Sequence, residues 1–362
     1  MSLAEVVAGL RAVLEQVARQ RADLIRDGWS VEALGHNPFN AATGGIWRVQ
    51  RDTGSAILKI ATPNRRDDHP PHWATSTDPA HWNYWQREVL AYRTGLATEA
   101  YAVAGIRAPV LLDSVDRADG SVALWLADVP GRPGMGCSPE QLGEFGYRLG
   151  VAHSAWLGRE TGAEWLSRDW LRAYTTSRPV PETVDWDHPV AVQTWPEDLR
   201  AGLRSLWERR YDVLAATDAL PRTLGHHDVW PMNLIVDESG PVLLDWTFVG
   251  PGPIGEDAAN LILDTFFDGL VDVDLLDDVA DAVRAGYQRG LAPAVDAAEV
   301  RRAIMLGAAA KYFWLAPGML AALHRHNPDR SQQYDSRDDL AMFDGRRRVL
   351  ELLVDWFRLA LE

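Results

Sequence analysis

Between Leu224 and Trp246 the chain reads LGHHDVWPMNLIVDESGPVLLDW, which gathers two histidines, several carboxylates and one asparagine that could act together. The apolar triplets Leu234 to Val236 and Val242 to Leu244 flank the turn residues DESG, a pattern that predicts a β-hairpin. With the turn centred near Ser239, Asn233 and Asp245 fall opposite each other, and directly paired strand positions bring side chains to about 5 Å. An amide oxygen and a carboxylate so placed can grip one hard cation, and magnesium takes few protein oxygens beside phosphate and water. Asp228 precedes Asn233 on the loop entering the hairpin, close to such a cation without having to ligate it. That position suits a residue that receives or orients a hydroxyl proton. Trp230-Pro231 stiffens the loop, because proline fixes its own torsion and restricts its predecessor. Singly, each residue has a plainer reading: Asp228 as a turn or cap, Asn233 as a strand edge, Asp245 as a surface acid. The joint spacing is what marks a site.

The basic residues carry a second signal. Of 36, only Lys59 and Lys311 are lysine. Arginine is a broad planar fork and lysine a compact point charge, so a lysine kept in an arginine-rich chain can mark a place too narrow for guanidinium.

Elements to position these groups follow from pattern. SVEAL (30–34), IWRVQ (46–50) and SAILKIA (55–61) are strand-like, the last two joined as a hairpin, with Lys59 in the third. A Pro- and His-rich segment, Thr62 to His81, reads as an inserted loop. In WNYWQREVLAYRTGLA, Trp85, Val89, Tyr92 and Leu96 recur at helical spacing with Glu88 beside that face. Two further strands start at Pro109 and Ser121, and PGRPG (130–134) reads as a hinge before a mostly helical remainder. Residues 1–29 show helical periodicity, a Ser2/Glu5 capping box and a Gly28 stop, an amphipathic helix and not a targeting segment. The expected architecture is α+β and two-lobed. Residues 30–130 form a small antiparallel sheet with one helix, 131–362 a larger helical lobe, and the cleft lies between them.

Composition bounds the function. A net charge of -15 argues against a nucleic-acid partner, which needs clustered cations to neutralise phosphates. No apolar run approaches the roughly 18 residues of a membrane span, the best candidate around Ala303 being interrupted by Lys311. Cys137 is the single cysteine, so neither a disulfide framework nor a cysteine metal site is available and the cytoplasm is the expected compartment.

The pattern His226-x-Asp228-x4-Asn233, then the hairpin and Asp245-Trp246, resembles the catalytic signature of the aminoglycoside phosphotransferase and choline kinase group, similar in fold to protein kinases. The resemblance implies a kinase that uses ATP or GTP with Mg2+ to phosphorylate a hydroxyl of a small molecule. It assigns Asp228 as base or orienter, Asn233 and Asp245 as magnesium ligands, and His226 as a brace of the loop. Lys59 would hold the nucleotide phosphates with Glu88 as its helix partner. Thr43, Gly44 and Gly45 would form a flap over them, and Ala127 to Val129 would meet the base. His227 stands where that group usually has glycine, the flap GHNPFNAATGG lacks G-x-G-x-x-G, and Glu256-Asp257 replace the usual acids, with helix capping as their expected work. The acceptor pocket would come from Asp264, Asp268, Tyr312 and Trp314. Those acids suit a cationic acceptor, an aminoglycoside or other sugar-containing antibiotic first, an amino sugar, sugar or amino-alcohol metabolite next. For the same acids and aromatics, a solvated helix face and core packing are the plainer reading. Two readings of another class remain: a metal-dependent phosphohydrolase built on His226 to Asp228 with His153, and a nucleotide-binding module without catalysis.

Overall fold

The computed structural model describes residues 30–37, 39–51, 54–63, 70–324, 335 and 337–361. The helix expected over 1–29 lies outside the described residues. Strands β1 (Ser30–Ala33), β2 (Thr43–Arg51) and β3 (Gly54–Ala61), then helices α1 (Arg87–Arg93) and α2 (Leu96–Glu99), then β4 (Leu111–Asp116) and β5 (Val122–Ala127), build the N-terminal lobe. The five strands form one antiparallel sheet in the order β1-β2-β3-β5-β4.

Alternation along these strands separates two faces, since neighbouring side chains point opposite ways. Trp47, Val49, Leu58, Ile60, Ala123 and Trp125 make a small core on one face. Ala61, Val122, Leu124 and Leu126 face the other way, into the main core shared with Trp85, Val89 and Tyr92 around α1. The helix is shorter than its periodicity predicts, because Gly95 takes a left-handed φ of 83° and starts a new turn.

The second lobe contains β6 (Arg132–Pro133), α3 (Pro139–Trp156), α4 (Trp170–Thr176), α5 (Pro189–Thr194), α6 (Glu197–Glu208) and α7 (Arg210–Asp218). It continues with β7 (Arg222–Gly225), β8 (Leu234–Asp237), β9 (Gly240–Leu243) and β10 (Gly250–Pro253). Helices α8 (Glu256–Phe267), α9 (Leu276–Leu291), α10 (Ala297–Tyr312), α11 (Leu315–Leu323) and α12 (Asp339–Leu361) complete it. Helix α3 begins with a capping box, Ser138 and Gln141 each satisfying the other's backbone N–H. It packs directly on α9, where a Cβ on Gly286 would fall 2.0 Å from the Gly143 carbonyl oxygen. The stretch Ala297–Leu323 has the length and apolarity of a membrane span, contrary to the sequence reading, yet 89% of its most apolar window is buried inside the lobe. The short antiparallel pair β7–β10 was not expected; Gly and Pro alone make up β10 and leave no periodic signal.

Candidate active site

Strand alternation puts Lys59 on the face of β3 turned toward α1, opposite the small core. Its ammonium lies 2.6 Å from Glu88 Oε2 on α1 and 3.1 Å from Asp245 Oδ1 of the other lobe. Only 5% of Lys59 is exposed. Burial works against the ammonium, but Asp245 and Glu88 outweigh it and leave the Lys59 pKa raised. Burial likewise lifts Glu88 above the usual carboxylate range, with Lys59 opposing.

The hairpin forms where the sequence predicts it, with a different register. Leu234 pairs with Leu243 and Asp237 with Gly240, so the loop is Glu238–Ser239. Asn233 therefore faces Leu244, whose N–H donates to the Asn233 carbonyl at 2.8 Å, and not Asp245. A slip of one position sends a strand side chain to the opposite face. Asp245 escapes this because it leaves the strand with φ at 59°. That left-handed turn, which costs a non-glycine residue about 1–2 kcal/mol, swings its carboxylate back to the cleft. There Oδ1 accepts from Lys59 and from the Thr247 hydroxyl. Burial raises the Asp245 pKa, but Lys59 and that hydroxyl bring it below the ordinary value.

Asn233 Nδ2 donates to the Asp228 carbonyl at 3.0 Å and to Asp228 Oδ2 at 2.8 Å. With Nδ2 committed, the amide offers Oδ1 to a hard cation, and Asp245, which lines the same cavity, offers a carboxylate oxygen; this donor set fits magnesium. Burial and the nearby Asp245 push the Asp228 carboxyl up to about 8, with Lys311 opposing and Asp264 adding to the rise.

Behind Asp228 the loop is held from below. Asp257 accepts the backbone N–H of His226 at 2.8 Å and of His227 at 2.7 Å, and lies 3.3 Å from His153 Nε2. Glu256 accepts from His227 Nδ1 at 2.7 Å. These two acids sit in the first turn of α8, and their oxygens hold the loop before Asp228, while the N-cap, Gly255, has no side-chain cap bond. The His226 ring is buried edge-on against Trp246, centroids 4.9 Å apart, and burial drives its pKa down to about 4, which keeps it neutral; neither ring nitrogen has a hydrogen-bond partner among the described residues, so its contact with the loop is one of packing. His226, His227 and Asp228 point to Trp246, Glu256 and Asn233 respectively, so they do not converge as a phosphohydrolase metal site. His227, Glu256 and Asp257 do cluster, but Lys311 and backbone N–H groups already occupy their oxygens.

A cavity of 490 Å³ lies between the lobes. It is lined at one end by Leu34, Ile46, Ile57, Leu126, Ala127 and Val129, an apolar slot suited to a planar base. The Ala127 N–H is committed to the Val110 carbonyl, which leaves Asp128 and Val129 to offer backbone groups. Thr43, Gly44 and Gly45 do not line it. They begin β2, where a Cβ on Gly45 would lie 2.2 Å from the Trp47 ring, and residues 34–37 and Asn40 border the cavity in their place. At the other end stand Asp264, Asp268, Tyr312 and Trp314, together with Trp170, Tyr174 and Phe248. The two acids are thus on a cavity wall and not on a solvated face. Burial, with Asp264 adding, pushes Asp268 up to about 7. Sequence reasoning missed Trp170 and Tyr174, whose stacked rings lie 4.5 Å apart in α4; sixteen tryptophans gave no way to single them out.

A sheet lysine paired with a helix glutamate in a small N-terminal lobe, facing an aspartate and asparagine on a helical lobe across one cleft, defines a small-molecule kinase of protein-kinase-like fold. The phosphotransferase enzyme family model matches residues 46–303, and the chain belongs to that family. Among solved structures, amicoumacin kinase hAmiN in complex with AMP-PNP, Ca2+ and Ami is similar at 15% identity and TM-score 0.57, over 99% of this chain and 100% of that one. A choline kinase from Cryptosporidium parvum Iowa II follows the same fold at 10% identity and TM-score 0.53, over 97% of this chain and 96% of that one. An aminoglycoside phosphotransferase from Alicyclobacillus acidocaldarius does so at 18% identity and TM-score 0.51, over 95% and 96%. No curated protein matches the sequence.

Proposed function

We propose that this protein transfers the γ-phosphoryl group of ATP or GTP to a hydroxyl of a small, amine-bearing acceptor, with an aminoglycoside or another sugar-containing antibiotic as the leading class. The observation that carries the reading is the meeting of Lys59, Asp245, Asn233 and Asp228 around one interlobe cavity, from separate elements. Asn233 and Asp245 would hold Mg2+, which supplies charge neutralisation for the phosphates. Lys59 adds a buried positive charge on the same side, and Glu88 keeps it aimed. Asp128 and Val129 meet the base. Phosphoryl transfer asks mainly for alignment and charge compensation. Asp228 therefore orients the acceptor hydroxyl and takes its proton at Oδ1 as the new oxygen–phosphorus bond forms and the bond to the nucleoside diphosphate breaks. A carboxyl whose pKa sits near neutrality is suited to that exchange. Asp264 and Asp268 supply charge for an amine, and Trp170, Tyr174 and Trp314 supply flat faces for a ring. The same wall favours a second reading, a smaller amino-alcohol metabolite. A cytoplasmic location goes with either.

The test is a nucleotide-consumption screen with Mg2+ and ATP or GTP against antibiotics, amino sugars and amino alcohols, run on the wild type and Asp228→Ala. We expect acceptor-dependent consumption that drops about 10²- to 10⁴-fold in the variant, as for loss of a general base, with nucleotide binding kept. Consumption indifferent to Asp228→Ala, or no binding of Mg-nucleotide at all, would refute the assignment.

A further inference from the structure

His227 and Lys311 take no part in the steps above, yet the chain builds an unusual seat for both. His227 immediately precedes Asp228 and adopts φ at 67°, a left-handed conformation that glycine takes readily and a histidine does not. Its ring is accommodated by glycines: a Cβ on Gly252 would lie 2.3 Å from His227 Cε1, and one on Gly225 2.9 Å. Trp170 stacks on it at 5.2 Å and 13°, and Nδ1 and Nε2 meet Glu256 at 2.7 Å and the Gly250 carbonyl at 3.1 Å.

Lys311 closes this seat. Its ammonium donates to the His227 carbonyl at 2.8 Å, lies 3.4 Å from Glu256 Oε1, and sits 4.7 Å over the Trp170 ring. It also donates to Asn260 Oδ1 at 2.7 Å. From there the bonds continue in one direction: Asn260 Nδ2 donates to the Tyr312 hydroxyl at 3.1 Å, and that hydroxyl to Asp264 Oδ1 at 3.0 Å. Lys311, Asn260 and Tyr312 are all buried, so each bond in the chain is sheltered from water and an interrupted link leaves a polar atom unmatched. One end of the chain is a carboxylate on the acceptor wall; the other is the peptide that aims Asp228.

We propose that Lys311 is a positioning residue that ties the acceptor wall to the catalytic loop, through Asp264, Tyr312, Asn260 and the His227 carbonyl, so that the same buried chain sets both the acceptor seat and the direction of Asp228. The proposal rests on the reading that Asp228 meets the acceptor hydroxyl. A compact ammonium fits a position ringed by a carbonyl, an amide, a carboxylate and an indole; a guanidinium fork does not, which accounts for a lysine here in a chain with 34 arginines. Displacement of a reacting group by about 1 Å can cost 10²-fold in rate, whereas the nucleotide contacts around Lys59 lie on the other lobe.

The experiment compares wild type, Lys311→Met and Tyr312→Phe for initial rates of Mg-ATP and Mg-GTP consumption, with the acceptor found by the screen and with water alone. Melting temperature and amide exchange over residues 226–233 are followed in parallel. For Lys311→Met we expect kcat to fall about 10²-fold with the nucleotide KM within about twofold, and faster exchange in the loop. Tyr312→Phe keeps the packing and cuts the chain once; acceptor-dependent kcat should fall about tenfold and exchange over residues 226–233 should quicken, which loss of an acceptor contact alone does not cause. If Lys311→Met fails to fold, loop exchange in Tyr312→Phe decides. Turnover within threefold of wild type in the folded variants, or kcat and nucleotide KM shifting together, overturns the proposal. A wild type that binds Mg-nucleotide yet consumes none in either condition refutes the functional reading instead. Amide exchange then decides the tether, and unchanged exchange in Lys311→Met overturns it.

Discussion

The two lysines of this chain are equally buried, at 5% exposure, and are held in opposite ways. Lys59 is surrounded by carboxylates from two lobes, Glu88 and Asp245, both of which border the cavity. Lys311 is held chiefly by neutral oxygens, the His227 carbonyl and the Asn260 amide, with Glu256 farther off. An ammonium paired with ionised groups can exchange one of them for an incoming phosphate at little electrostatic cost. An ammonium locked into carbonyl and amide oxygens is a fastening, since those groups have no other donor to turn to. One lysine is thus kept ready for a ligand and the other holds the protein to itself.

That contrast can be broken by experiment. Lys59→Met should weaken nucleotide binding about 10²-fold, the scale of a lost charge-assisted contact, whereas Lys311→Met should leave it nearly unchanged. Equal losses of affinity, measured by titration calorimetry with Mg-ATP, would erase the distinction. The same Lys59 variant strands Glu88 as a buried acid and should cost about 3 kcal/mol at pH 8. The loss should shrink toward pH 5, where Glu88, its pKa already raised by burial, takes up a proton.

Smaller effects sharpen the picture on the side of the second lysine. Gly252→Ala would press a methyl into the His227 ring and should lower stability by about 1–3 kcal/mol. Asp228 gives the mildest test. Its folded-state pKa, about 8, lies above the unfolded value, so the protonated form is favoured by folding and this group's contribution to stability is lost as pH rises toward 8. In the protein free of metal and nucleotide, Asp228→Asn should therefore melt a few degrees above wild type at pH 8.5 and level with it near pH 4. A variant that melts below wild type at pH 8.5 would show that the buried charge is better compensated than its neighbours indicate.

Much of this was legible beforehand. Period-two alternation and turn residues located all five strands of the first sheet, helical spacing found Glu88 beside its apolar face, and DESG marked the hairpin. These signals work over a few residues, where torsional preference and alternation act directly. The one-residue error in the hairpin register also belongs to that scale, because a four-residue turn signal does not say which two residues form the loop. The flap expectation works at the same scale: glycines at 44 and 45 read as a phosphate loop, whereas the packing of Trp47 and Ile60 against them supplies another reason for their small size.

By itself, then, the sequence determined the strands of the first sheet and the hairpin, that Asp228, Asn233 and Asp245 ride on one loop and hairpin, and that two lysines stand apart from 34 arginines. Tertiary structure decided what those lysines hold. Lys311 finds its carbonyl partner 84 residues away, and Lys59 meets Asp245 from the other lobe, through side chains that no periodicity links. Such pairings are selected by the need to match every buried charge and polar atom once distant helices and strands are packed together, a condition imposed by the whole core and not by any one segment.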